Sequence, residues 1–152
     1  RIDFCNSLLA GLPQSLLDKL QAVMNASVRL IFRVSMRDHL TPLYRTLHWL
    51  PVKKRIEYKI ATICYNSFTG TAPSYLNGLL KVYVPGRPGL RSARDIRKLD
   101  TVIMNMKTQG ERSLTFQGPL IWNSLPYNIR HAPSVSSFKT RLKTHLFKKA
   151  YS

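Results

Sequence analysis

The carboxylates of this 152-residue chain are the groups that metal-dependent phosphoryl transfer would need: Asp3, Asp18, Asp38, Glu57, Asp95, Asp100 and Glu111. That chemistry gathers acidic side chains around Mg²⁺ as hard oxygen ligands. Here no two are adjacent and none form an alternating pair, so a metal centre is not expected. His39, His48, His131 and His145 show neither metal-ligand spacing nor a nucleophile at a catalytic spacing. Cys5 and Cys64 are too far apart for a zinc knuckle or a disulfide framework. They read as small core residues in a reducing, intracellular setting, nuclear or cytoplasmic. No Walker or dinucleotide glycine loop occurs. The stretch PGRPGLR has glycines, but its prolines remove the N–H groups a phosphate cradle uses. The sequence predicts no catalytic residue, metal, cofactor or small-molecule substrate.

The cations carry the stronger message. Lys and Arg number 24 against 7 acidic residues, a formal net charge of +17. Self-repulsion on that scale opposes a compact state, so a polyanionic partner is expected, RNA and/or DNA first and an anionic membrane surface second. Three basic surfaces stand out. Lys54 and Arg55 lie off the apolar face of a predicted helix, where they are expected to project toward a partner. Arg87, Arg91, Arg94, Arg97 and Lys98 load a Pro/Gly-rich connector. Lys139, Arg141, Lys143, Lys148 and Lys149 decorate a C-terminal amphipathic helix. Lys and Arg neutralise phosphates while interleaved aromatics stack bases. The C-terminal helix also suits a membrane surface or a partner helix. No run reaches the ~18 apolar residues of a membrane span, and a membrane is the less expected partner. Trp49 and Trp122 each precede a proline beside leucines, a setting that predicts core anchors rather than base-stacking platforms.

The elements that must position these residues are mainly helical. From Pro13 the apolar residues Leu16, Leu20, Val23, Ser27, Leu30, Ile31 and Val34 recur at helical spacing and predict the buried face of a long first helix. Thr41 and Pro42 open a second helix, Thr41 as its N-cap. Pro51 starts a third with Val52, Ile56, Ile60, Ile63 and Cys64 inward, stopped near Gly70. Pro73 begins a short fourth. Residues 84–99 then form an extended basic connector. Thr101, Val102 and Ile103, with Gly110 midway to Phe116, allow a small β-hairpin around residues 99–116. Ser134 caps a last helix whose inward row is Val135, Phe138, Leu142, Leu146 and Ala150. The fold expected is one mainly α, bundle-like domain with at most that hairpin. Hydrophobic residues at 44% suffice for its core.

The order of segments resembles one family. RIDFCNSLLAGLPQSLLDKLQAVMNASVRLI is followed by TPLYRTLHWLPVKKRIEYKIATICYNSFTGTAPSYLNGLL, LRSARD and GERSLTFQGPLIWNSLPYNIRHAPSVSSFKTRLKTHLF. Together they resemble the C-terminal part of the reverse transcriptase polyprotein of LINE-type, non-long-terminal-repeat retrotransposons. The resemblance implies that residues 1–34 correspond to thumb helices. It divides the chain into a thumb-like region 1–83, the connector 84–99 and a C-terminal portion 100–152. The chain, opening at Arg1, is expected to be a piece of a longer protein. Polymerase and endonuclease chemistry would reside upstream, so no catalytic residue transfers to this chain. What transfers is a supporting role, gripping template–primer, element RNA or target DNA beside an upstream palm. Leu8, Leu9, Leu12 and part of the first helix would pack on that palm and be exposed without it. The rival readings are a basic helical module that docks on a partner protein or membrane, and a translated relic without function.

Overall fold

A computed structural model describes residues 3–86, 96–102 and 110–152 of the chain. The elements run α1 (Gln14–Phe32), α2 (Thr41–Thr46), α3 (Val52–Phe68), α4 (Ser74–Asn77), α5 (Leu114–Asn123), α6 (Tyr127–Arg130) and α7 (Val135–Tyr151). Single 3-10 turns cover Asn6–Leu9 and Gly110–Arg112. Prolines punctuate the chain. Pro13, Pro51, Pro73 and Pro126 each stand at the N-cap of a helix with extended ψ, where a missing N–H costs nothing. The Ser134 hydroxyl accepts the Ser137 N–H at 3.2 Å, as its position before α7 predicts. Gly70, at φ +69°, lies just past α3 in the left-handed conformation that suits a helix stop. α2 departs from expectation by one residue: its N-cap is Leu40, and Thr41 is already helical.

α3 is the hub. α1, α5, α7 and the Asn6–Leu9 turn all pack against it. A helix surrounded in this way must be apolar on more than one side. Accordingly Ala61 and Tyr65 join Val52, Ile56, Ile60 and Cys64 in the core, whereas Ile63 is half-buried. Residues 3–83 and 110–152 thereby share one hydrophobic core. Its centre is aromatic. Trp122 of α5 stacks on Phe68 with centroids 5.2 Å apart and tilts toward Phe138 at 5.8 Å. Tyr65 stacks on Phe138 at 4.2 Å, and its hydroxyl donates to the Ala132 carbonyl at 2.8 Å. The Trp122 indole N–H donates to the Arg97 carbonyl.

The burial of α1 reverses the sequence expectation. Leu17, Met24 and Val28 are buried, while Leu16, Val23, Leu30 and Ile31 of the predicted face are exposed, Leu30 by 80%. Two apolar rows share this helix, and polar bonding decides which faces inward. Gln21, on the Leu17–Met24–Val28 side, accepts the Val52 N–H at 3.0 Å and so caps α3 from a neighbouring helix. Its amide also donates to Tyr44 Oη at 2.9 Å, which in turn donates to Asn25 at 2.8 Å. Leu8 is exposed, whereas Leu9 and Leu12 are half-buried against the core.

The hairpin is replaced by helix on its second arm. Gly110–Arg112 forms a 3-10 turn and Leu114–Asn123 forms α5, with Pro119 inside it. Among the described residues the extended pairing present instead is one antiparallel bridge between Val82 and Leu99. Tyr83 N–H donates to Lys98 at 2.9 Å and Asp100 N–H to Lys81 at 2.8 Å. Asn123 clamps the bridge, donating to and accepting from the Leu99 backbone at 2.9 and 3.0 Å. This pairing thus ties together the two ends of the connector rather than building a strand after it. Residues 103–109 of the expected hairpin lie outside the described residues.

Gly118 explains how α5 approaches α3 so closely. A Cβ there would stand 3.1 Å from Leu80 Cδ2 and 3.4 Å from Cys64 Sγ. Cys64 is fully enclosed, and burial pushes its thiol up to about 12. The thiolate is the reactive form. In native protein at pH 8, a thiol reagent should therefore label exposed Cys5 within minutes and leave Cys64 untouched until denaturant is added. Prompt labelling of both by mass spectrometry would contradict the packing of α5 on α3.

Candidate nucleic-acid interface

Arg55 and Lys143, which the sequence placed on separate surfaces, line one cleft of about 390 Å³. Their neighbours there are Asp3, Asn6, His48, Trp49, Leu50, Tyr58 and Lys59. Four parts of the chain build it, the N-terminal segment supplying Asp3 and Asn6. α3 supplies Arg55, Tyr58 and Lys59, α7 supplies Lys143, and the turn between α2 and α3 supplies Trp49. That turn depends on His48, whose φ of 51° reverses the chain at the end of α2. Left-handed backbone is uncommon outside glycine and costs roughly 1–2 kcal/mol per residue. The bend lets the Trp49 N–H bond back to the Tyr44 carbonyl at 3.0 Å, and the His48 ring stacks on Phe147 of α7. Tyr151 of α7 adds a hydrogen bond to the Trp49 carbonyl at 2.6 Å. Cys5, beside Asn6, is also left-handed at φ 51°.

Lys54 and Arg55 are not the projecting cations their helical angle suggested. Lys54 bonds both oxygens of Glu57 at 2.8 Å and is 15% exposed. Arg55 reaches Asp3 at 2.6 Å and the Leu50 carbonyl at 2.8 Å, lies over the Trp49 ring at 5.4 Å, and is 20% exposed. Helices and turns cover most of α3, so leaving its most apolar row brings Lys53 and Lys59 to open solvent but not Lys54 or Arg55. The cations of the cleft without an ion-pair partner among the described residues are Lys59 and Lys143.

The connector divides likewise. Arg97 donates to the Arg130 carbonyl at 2.8 Å and lies 5.9 Å from the centre of the Tyr65 ring. It anchors the base of the connector to the core and is not a solvated charge. Lys98 is half-buried beside it. Arg87, Arg91 and Arg94 lie outside the described residues. On α7 the expectation holds: Lys139, Arg141 and Lys143 are exposed, as are Lys148 and Lys149. Arg141 also donates to the Asn128 carbonyl at 2.9 Å, tying α7 to α6. Burial, followed by the charges of Lys149 and Lys54, lowers the pKa of His145.

Of the two tryptophans, Trp122 is wholly enclosed, as expected, and Trp49 is half-buried at the cleft. Sequence reasoning missed Asn6, His48, Tyr58 and Lys59. Lys59 had a usable signal, since it follows Arg55 by four residues and shares its face. Asn6 had none. Among the described residues no group of His, Cys, Asp and Glu is placed to hold a metal ion, and no helix is long and apolar enough to cross a membrane. No family model, curated protein or solved structure matches the chain.

Proposed function

We propose that this chain binds nucleic acid without strong sequence preference, as a non-catalytic supporting piece of the kind its resemblance to LINE-type reverse transcriptases implies. The observation that carries the reading is the cleft, where Lys59 and Lys143 stand beside Trp49 and Tyr58 in a protein of net charge +17. Phosphate neutralisation and aromatic contact are the two contributions that sequence-tolerant binding combines. The disposition of α7 counts against the membrane and partner-helix rivals. Its apolar row, Phe138, Leu142 and Leu146, is at most 2% exposed, so that face is already used in the core.

Fluorescence anisotropy with labelled single strands and duplexes tests the reading. If about five phosphates are neutralised, log affinity should fall against log salt with a slope near −3.5 for single strands and −4.5 for duplex. Liposome flotation in parallel should recover little protein. Affinity that does not change with salt, or stronger recovery on anionic vesicles than on nucleic acid, would reject it.

A further inference from the structure

Asn6 is 4% exposed, lines the cleft, and its side-chain oxygen has no hydrogen-bond partner. A buried acceptor without a donor is unfavourable by roughly 1–3 kcal/mol, and native proteins seldom keep one without a use. The rest of the cleft says what donor would suit it. Tyr58 and Trp49, over whose ring Arg55 lies at 5.4 Å, give an aromatic wall, Lys59 and Lys143 give cations that bind no carboxylate among the described residues, and Arg55 satisfies Asp3. A flat ring with an N–H on its edge and an attached phosphate matches all three requirements.

From this we infer that the cleft holds one unpaired nucleotide of a single strand. The base lies against Trp49 and Tyr58, the Asn6 amide turns its enclosed oxygen into the cleft to accept an N–H of the Watson–Crick edge, and the phosphate meets Lys59 and Lys143. Every base carries such an N–H, so sequence tolerance is retained, but in a duplex the same N–H is already committed to its partner strand. The volume of about 390 Å³ falls within the range of small-molecule sites, roughly 300–1,000 Å³, and is ample for one nucleotide but not for a duplex. The inference rests on the nucleic-acid reading above and adds single-strand selectivity to it.

The test compares a ten-nucleotide single strand with the matching duplex at equal salt, using the full chain. The single strand should bind about tenfold more tightly, since stacking one base contributes on the order of 1–3 kcal/mol. Asn6→Leu should abolish most of that advantage without lowering Tm, because an apolar group of similar size replaces an unsatisfied one. Lys59→Glu, on the exposed side of α3, should weaken the single strand more than the duplex. Trp49→Phe should keep part of the preference and Trp49→Leu should lose it. Equal affinity for strand and duplex in the parent protein, with Asn6→Leu indistinguishable from it, overturns the inference while leaving general nucleic-acid binding intact. Absence of binding to either form removes both.

Discussion

Trp122→Ala should lower the stability of the domain by about 3–5 kcal/mol, the largest loss expected from any single side chain here. The indole is fully enclosed and touches the rings of Phe68, Phe138 and Tyr65, which come from α3 and α7. Its removal opens a cavity where three helices meet and leaves the Arg97 carbonyl without its donor. Small domains have only about 5–15 kcal/mol in total, so the variant should be partly unfolded at 37 °C. Urea titration followed by far-ultraviolet circular dichroism should show a large fall in midpoint with the slope unchanged. Trp122→Phe keeps the ring contacts and loses the hydrogen bond, so its loss should be intermediate. Leu120→Ala, in the same helix but 47% exposed, should shift the midpoint little. A small effect at Trp122, comparable to that at Leu120, would mean that α5 does not hold α3 and α7 together.

Trp122 also marks the limit of what was legible. That a large ring between two prolines anchors the core follows from its size and setting, and the structure agrees. That it does so from within a helix does not follow, because Gly118 and Pro119 both argue against helix and propensity counts them alike in every context. Only the nearness of Leu80 and Cys64 gives Gly118 its reason. The start of each long helix was legible because proline and Ser134 act locally. The inward face of α1 was not, because two apolar rows are equally periodic and the choice between them depends on Gln21 meeting Val52, 31 residues away. The candidate binding surface divides the same way. Exposed cations on α7 follow from one helix's periodicity. Arg55 and Arg97 were misjudged because their partners, Asp3 and Arg130, become visible only once the chain has folded around α3, whereas the Lys54–Glu57 pair, three residues apart on one helix, was legible and overlooked.

Those exposed cations carry the second large effect. Changing Lys139, Lys143, Lys148 and Lys149 together to glutamine should reduce affinity for every nucleic acid and make its salt dependence shallower. Each lysine in contact with duplex phosphate contributes about 0.9 to the slope, so loss of two contacts corresponds to about 60-fold weaker binding at 0.1 M salt. The substitutions should not disturb α7. Glutamine is nearly as good a helix former as lysine, and Phe138, Leu142 and Leu146 still bury the inward row. Stability should move the opposite way from binding. Only Lys54–Glu57 and Arg55–Asp3 are ion pairs among the described residues, so most positive charges on this +17 chain repel rather than attract. Removing four of them should hold or raise Tm while affinity falls, a combination that damage to the fold does not produce. Lys143 contributes twice, to the α7 surface and to the cleft, and restoring it alone should recover single-strand affinity more than duplex affinity. If the quadruple variant binds as tightly as the parent with the same salt slope, α7 is not part of the interface, and binding must reside in cations elsewhere on the chain.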